Sequence, residues 1–380
     1  MKAIIVILLI VSLTESALWF APISSELLWP ARMIARELWP WLIAVNLLGI
    51  LLAIFRLRWT ILVFAAGLAI TVWPLAQIRD LENDVADQWV HREFSPNALR
   101  VPGTFGVFAR SFTAVDPQMP ALTPNTIRSD ILLYKAPDSA GREPLPVVID
   151  IHGGSWQHEN AETDATFSRY LAWKGYAVFS IDYRKAPAFK YPTQIEDVRN
   201  AIDWIAANAP YYGADPSRIA LVGRSAGAQL AMLYGYTNEA IPIHGVVSYY
   251  GPTDLAKMYR NPPKPDPIKL RHKLTAYLGG TPDALPAAYS DASPVTHLKA
   301  NLPPTLLIHG AGDHIVAPEF IREMHQKLKE SGSRSILVEL PWSDHSFDFV
   351  YFGPGNILAL AYVEAFLTEV IPPNSQPIAE

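Results

Sequence analysis

Residues 219–235 read IALVGRSAGAQLAMLYG, and this stretch decides the fold class. An aliphatic run ends at Gly223, and a helix-like run of small and apolar residues begins after Ser225. Glycine on both sides of the serine allows a sharp turn without a Cβ clash, which would hold the hydroxyl at a helix N-terminus. The stretch predicts a strand–turn–helix unit in which Ser225 is either a nucleophile or part of a small-residue turn.

The same alternation of short apolar runs and helical runs continues from residue 126 onward. Strands are predicted at 130–134, 146–151, 176–181, 218–223, 245–250, 305–310 and 335–340. Helices are predicted at about 163–174, 193–209, 225–237, 318–331 and 355–370. Near-continuous apolar strands that alternate with helices indicate a mainly parallel sheet covered on both faces. The proline-dense segment 261–269 predicts an irregular insertion at the edge of this sheet.

A second glycine motif, HGGSW at 152–156, follows the predicted strand 146–151. The consecutive glycines Gly153 and Gly154 let backbone N–H groups turn toward an oxyanion, and the N–H group of Ala226 would add a third donor. An ordinary glycine turn is the alternative. Because the ends of parallel strands meet at one edge of a sheet, we expect this loop beside Ser225.

Two further strand ends carry the residues that a serine nucleophile needs. Asp313 follows strand 305–310, and His345 follows strand 335–340, so the chain order is Ser, Asp, His. This is the order expected of an α/β-hydrolase sheet, in which the histidine takes the serine proton and the aspartate orients the imidazole. Rivals for these roles lie nearby and are interpreted as structural: Asp344, His309, His314, His152 and Asp254.

The motifs together resemble the hormone-sensitive-lipase and acetyl-esterase branch of the α/β-hydrolases. The segment DYRKAPAFKYPTQIEDVRNAIDWI, residues 182–205, is similar to the same group, and the resemblance covers about 126–372. It implies an α/β-hydrolase fold, ester hydrolysis by Ser225, Asp313 and His345, and an oxyanion hole formed by the glycine motif and Ala226.

Two positions depart from the pattern of this group. Ser155 stands where lipase-type members commonly have a third glycine, and Arg224 precedes the nucleophile where an acid or a small polar residue is usual. We expect Ser155, Trp156 and Arg224 to contact the substrate. For Arg224 two interpretations stay open: it pairs with a local acid, or it meets an anionic group near the substrate.

The first 78 residues have a membrane-like composition. Residues 38–55 and 59–78 are uncharged, and each is long enough to cross most or all of a bilayer as a helix. Residues 3–23 are interpreted as an uncleaved spanning helix or as a signal peptide. Lys2 and the arginines between the two uncharged runs would share one side, which the positive-inside rule makes cytoplasmic. The catalytic domain is then expected on the extracytoplasmic side.

The chain is therefore predicted to have three parts: a membrane anchor at 1–78, a linker or flap at 79–125, and a catalytic domain at 126–380. Residues 79–91 have the spacing of a short amphipathic helix. Phe105, Phe108 and Phe112 belong either to an irregular linker or to a flap near the mouth of the catalytic site.

Composition excludes several classes of function. The chain has 380 residues, a net charge of −5 and no cysteine, which argues against nucleic-acid binding and excludes disulfides and thiolate nucleophiles. No metal or other cofactor is expected, and the partners would be a small or lipid-like ester and the bilayer. The favoured function is a membrane-tethered carboxylesterase; the alternatives are a prolyl-oligopeptidase type of peptidase and a non-catalytic binding protein on a hydrolase fold.

Overall fold

A single eight-stranded sheet lies at the centre of the computed structural model, which describes residues 2–21, 28–112, 124–128, 130–136 and 143–374. The strand order is β1-β2-β4-β3-β5-β6-β7-β8. The strands are β1 (Asn125–Arg128), β2 (Ile131–Tyr134), β3 (Leu145–Ile151), β4 (Ala177–Ile181), β5 (Ala214–Arg224), β6 (Ile243–Tyr249), β7 (Thr305–Gly310) and β8 (Ser335–Leu340). Each of the seven predicted strands is present. The sequence pattern missed β1, because the strand has only four residues, of which three pair with β2 and none is buried.

From β4 to β8 all neighbouring strands are parallel, whereas β1 and β2 pair antiparallel at one edge. Strands β3 and β4 are fully buried, which explains their continuous apolar sequences. One pairing matters for function: Ile151 at the end of β3 is in register with Gly223 near the end of β5. The glycine motif that follows β3 therefore lies beside the turn that carries Ser225.

Helices cover both faces of the sheet, and each face has its own apolar core. One face carries α7 (Thr193–Asn208), α8 (Ala226–Thr237) and α12 (Pro318–Glu330), and the other carries α6 (Ala165–Trp173) and α13 (Pro354–Val370). The segment between β6 and β7 holds three short helices that the sequence did not predict: α9 (Leu255–Arg260), α10 (Leu270–Leu278) and α11 (Pro286–Asp291). The predicted irregular stretch 261–269 lies between the first two.

The amino-terminal region contains α1 (Lys2–Phe20), α2 (Leu28–Glu37), α3 (Trp39–Arg56) and α4 (Ile61–His91). Two helical segments, Lys2–Phe20 and Arg58–His91, are long and apolar enough to cross a membrane. The pair Leu28–Glu37 and Trp39–Phe55, bent by 72°, adds a third crossing when it is counted as one broken span. Helices α1, α3 and α4 pack against one another and leave many apolar side chains exposed.

Helix α4 corrects the prediction of a separate amphipathic helix at 79–91, because one continuous helix runs from the apolar segment through that stretch. Its last turns are part of the sheet core, where Leu81, Val85 and Trp89 are buried. The Gln88 amide also pairs with the free edge of β8: its oxygen accepts from Leu337 N at 2.8 Å, and its nitrogen donates to Leu337 O at 3.1 Å. The edge strand is thus covered rather than exposed.

The segment after α4 forms α5 (Thr104–Arg110), which packs on α13 and α4. The ring of Phe108 lies 6.3 Å from that of Trp39 and 5.1 Å from that of Phe112, whereas Phe105 is exposed. None of the three phenylalanines lines the cavity at Ser225, so the idea of a phenylalanine flap at its mouth is not supported. Residues 113–123 of this predicted linker lie outside the described part of the chain.

Candidate active site

Ser225 lies in a strained turn between β5 and α8. Its φ of 49° and ψ of −116° place a non-glycine residue in a backbone region that L-residues rarely occupy. The flanking glycines are required by close approach: a Cβ at Gly223 would lie 2.6 Å from Ala228 N, and one at Gly227 would lie 2.7 Å from the carbonyl carbon of Ile151. The turn thus presents the serine side chain at the first turn of α8, at the carboxyl edge of the sheet.

The structure brings Ser225, His345 and Asp313 into one hydrogen-bonded series. The Oγ atom of Ser225 lies 3.0 Å from His345 Nε2, and His345 Nδ1 lies 2.7 Å from Asp313 Oδ2. With the Nδ1 proton directed at the carboxylate, Nε2 is left to accept the proton of the serine hydroxyl. The three residues come from the ends of β5, β7 and β8, so the sheet rather than local sequence sets their distances.

Asp313 is buried and fully hydrogen-bonded. Its second oxygen, Oδ1, accepts from the backbone N–H groups of Ile315 and Val316, both at 2.8 Å. Burial alone would raise the pKa of Asp313, but the adjacent His345 and these hydrogen bonds hold it below its usual value. Asp313 is therefore a carboxylate at neutral pH, as a group that stabilises an imidazolium must be.

The rival histidine His309 is buried at the end of β7, with its Nε2 2.8 Å from Val316 O and 3.2 Å from Asp313 Oδ2. Burial lowers the pKa of His309, although Asp313 opposes this effect. A neutral imidazole that donates to a backbone carbonyl fits the predicted packing role. A second rival, Asp344, accepts from the backbone N–H groups of His345 and His314, and no hydrogen bond from the imidazole of His345 to Asp344 is present among the described residues.

The glycine loop after β3 lies directly against the serine turn. A Cβ at Gly153 would be 3.6 Å from Ser225 Cβ, and positive φ values occur at Gly154, Ser155 and Trp156. The Tyr183 hydroxyl donates to Gly153 O at 2.8 Å and so fixes one carbonyl of the loop. This arrangement puts the backbone of Gly153 close to Ser225, on the side where the oxyanion hole is predicted.

His152 braces the loop, as expected. Its Nε2 is 3.0 Å from Asp182 Oδ1 and 2.8 Å from Lys185 Nζ, and its ring stacks on Tyr183 with 4.4 Å between centroids. Burial would raise the pKa of Asp182, but His152 and Lys185 lower it to about 2. The imidazole is thus held beside a carboxylate and away from the reacting atoms.

Arg224 is a buried cation surrounded by acids and aromatic rings. Its Nε lies 2.6 Å from Asp348 Oδ2 and 3.4 Å from Asp164 Oδ1, and its Nη1 lies 3.1 Å from Asp150 Oδ1. The guanidinium also lies 4.2 Å from the centroid of Phe167. Burial opposes the charge, but the three carboxylates raise the pKa of Arg224 well above its usual value. Of the two interpretations of Arg224, the structure therefore supports pairing with local acids.

A cavity of about 540 Å³ opens over Ser225 and His345. Ser155 and Arg224 are among the residues that line it, whereas Trp156 is not. The substrate contacts expected of Ser155 and Arg224 stay predictions. The Trp156 indole is buried, stacks on Tyr277 at 4.3 Å and donates to Gln229 Oε1 at 2.9 Å. The Trp156 indole therefore supports the loop, and the substrate contact expected of it is not supported by its position.

One wall of the cavity was missed by the sequence analysis. Trp29 of α2 lies 6.3 Å from the His345 ring and faces the cavity together with Ile268, Ile315 and Phe349. The sequence signal that could have identified Trp29 is the amphipathic, tryptophan-containing stretch in which it lies. Across the described ranges, no group of three or more acidic or histidine side chains is arranged to hold a metal ion.

A serine with a hydrogen-bonded histidine and aspartate, at the carboxyl edge of a mainly parallel sheet, defines the α/β-hydrolase class of proteins. The BD-FAE family model matches residues 133–328, just over half of the chain, and the chain belongs to this family. The match includes Ser225 and Asp313, whereas His345 lies beyond it.

Two curated relatives come from Mycobacterium tuberculosis. The chain is 30% identical over 251 residues to the probable carboxylic ester hydrolase LipM, across 63% of this chain and 57% of LipM. It is 34% identical over 224 residues to esterase LipC, across 55% of this chain and 54% of LipC. The chain spans about half the length of the curated relatives it matches.

A solved structure, a bacterial heroin esterase, superimposes with a TM-score of 0.58 at 25% identity, over 70% of this chain and 89% of that chain. The predicted α/β-hydrolase fold is therefore confirmed.

Proposed function

We propose that this protein is a serine carboxylesterase with Ser225 as the nucleophile, His345 as the general base and Asp313 as the orienting acid. The observation that carries the proposal is the continuous series of hydrogen bonds from Ser225 Oγ through the imidazole to Asp313. The esterase names of the relatives and of the structural neighbour favour the same reaction.

The chemistry follows from the positions of these groups. Ser225 Oγ attacks the ester carbonyl while His345 Nε2 takes its proton, and the oxyanion is bound by the N–H groups of Gly153, Gly154 and Ala226. His345 returns the proton to the leaving alcohol, which leaves an acyl-enzyme. Water, deprotonated by the same imidazole, then releases the acid, and the negative charge of Asp313 stabilises the imidazolium in both steps.

The cavity favours an amphipathic ester as substrate. Trp29, Ile268, Ile315 and Phe349 supply apolar surface next to the triad, and a volume of about 540 Å³ accommodates a medium-sized ligand. Helix α2, which carries Trp29, follows α1 and precedes α3 along the chain and contacts both of these apolar helices. We infer that lipid-like acyl or methyl esters reach the site from the adjacent bilayer.

The membrane part of the proposal is an anchor of packed helices α1, α3 and α4, with the catalytic domain on the extracytoplasmic side. Its support is the exposed apolar surface of these helices and the sequence expectation that the cations at the chain start and between the two uncharged runs share one side. Protease added to sealed cells tests it. Digestion of the catalytic domain without lysis is expected, and protection until lysis would reverse the orientation.

Hydrolysis of p-nitrophenyl esters by the detergent-purified full chain tests the reaction. Ser225→Ala should lower kcat by about 10⁵-fold or more and abolish labelling by a fluorophosphonate. Ser217→Ala, at an exposed position far from the triad, is the matched control and should keep full activity. Retained activity in Ser225→Ala would exclude this serine as the nucleophile.

A further inference from the structure

Helix α2 of the amino-terminal region carries a buried carboxylate next to the proposed triad. Glu37 is 1% exposed. Its Oε1 accepts from Ser343 Oγ at 2.6 Å, and its Oε2 accepts from Gly355 N at 2.8 Å. Both donors are neutral, and no salt bridge to Glu37 is present among the described residues. Because a buried carboxyl group is costly to desolvate unless it is hydrogen-bonded, these hydrogen bonds offset part of its loss of hydration.

The packing around Glu37 is too close for ordinary side chains. A Cβ at Gly353 would lie 2.9 Å from Glu37 Oε2, and a Cβ at Gly355 would lie 2.8 Å from the same atom. A Cβ at Gly312, in the loop of Asp313, would likewise collide with the guanidinium of Arg36. The catalytic domain has glycines at these positions, and a larger residue there would require the side chains of Glu37 or Arg36 to move.

Ser343, the partner of Glu37, joins the two loops that carry the acid and the base. It stands two residues before His345, and its carbonyl accepts from Gly312 N at 3.0 Å, one residue before Asp313. A Cβ at Gly310 would lie 2.7 Å from the Ser343 carbonyl carbon, so the backbones are in close contact here as well. A shift of Ser343 would therefore change the distance between Asp313 and His345.

We propose that Glu37 is a positioning residue of the active site: through Ser343 it holds the loops of His345 and Asp313 at their hydrogen-bonding distance. Helix α2 then contributes to catalysis as well as to membrane attachment. This inference rests on the proposed esterase function. Misplacement of a reacting group by about 1 Å costs on the order of 100-fold in rate, which sets the scale of the effect.

The test is a double-mutant cycle on the full chain in detergent, with p-nitrophenyl acetate as substrate. Glu37→Gln keeps one acceptor and should lower kcat about 10-fold, Glu37→Ala should lower it about 100-fold, and KM should stay unchanged. Ser343→Ala should match Glu37→Gln, and the double variant should fall no more than about twofold further. Glu323→Gln, a change at a partly exposed carboxylate paired with Lys257 and Lys327, is the control and should leave kcat unaffected.

Fluorophosphonate labelling rates, normalised to folded protein by the tryptophan melting curve, separate positioning from unfolding. A normal labelling rate and kcat in folded Glu37→Gln would overturn the inference, as would fully multiplicative losses in the double variant. A lower melting temperature with a normal rate in the remaining folded protein would assign Glu37 to stability alone. Retained activity in Ser225→Ala would instead contradict the proposed function itself, and the outcomes for Glu37 are measured independently of it.

Discussion

Replacement of Arg224 by methionine tests the interpretation of this residue as a buried counter-charge. The substitution keeps much of the volume but removes the cation, which is only 5% exposed and lies 2.6 Å from Asp348 and 3.1 Å from Asp150. Removal of one partner from a buried ion pair typically costs about 3–5 kcal/mol, because the remaining charges stay buried without compensation. For a domain of this size the melting temperature should fall by roughly 10 °C.

The loss should depend on pH. Burial, together with Asp150 and Asp348, raises the pKa of Asp164 to about 7, although Arg224 lowers it. A carboxyl group with a folded pKa above its unfolded value of about 3.9 binds more protons in the folded state, so stability falls as pH rises through this window. Loss of Arg224 raises that pKa further. The deficit of Arg224→Met should therefore be larger at pH 8 than at pH 5.

Tryptophan fluorescence melting in detergent, which uses the 11 tryptophans of the chain, measures both effects. Arg322→Met is the matched control, because Arg322 forms an exposed pair with Glu339 at 2.8 Å and should contribute at most about 1 kcal/mol. In the double variant Arg224→Met/Asp348→Asn, one uncompensated charge is gone and part of the stability should return. Equal melting temperatures for the two arginine variants, or a deficit that does not change with pH, would refute the counter-charge role.

Three further predictions concern the turn, the triad and the sheet edge. Gly227→Ala should prevent normal folding, because its Cβ would overlap the Ile151 carbonyl; a wild-type melting curve would contradict this close approach. Asp313→Asn should lower kcat by about 10⁴-fold with little change in KM, since the imidazole loses its orienting carboxylate; steady-state kinetics with a normal kcat would argue against that role. Gln88→Ala should lower the free energy of unfolding by about 1–3 kcal/mol in urea titrations, since the two backbone groups of Leu337 lose their partners; an unchanged midpoint would mean that water replaces the amide.

Local sequence was enough to predict most of the sheet and the triad. Strands β7 and β8 have the predicted bounds, because a mostly buried parallel strand leaves a run dominated by apolar residues. Ser225 stood out since the geometry of its turn needs glycine on both sides, a requirement that local sequence records directly. Asp313 and His345 could be predicted because strand ends in such a sheet share one edge.

The tertiary structure alone decided which distant residues meet. Arg224 has carboxylate partners at positions 150, 164 and 348, and Glu37 contacts a serine more than 300 positions away along the chain. Neither contact leaves a periodic pattern, because the partners belong to separate loops and helices that only the packed sheet brings together. The sequence by itself determined seven of the eight strands, the nucleophile turn and the apolar character of the amino-terminal region. The docking of α2 on the His345 loop depends on side-chain packing across the whole fold.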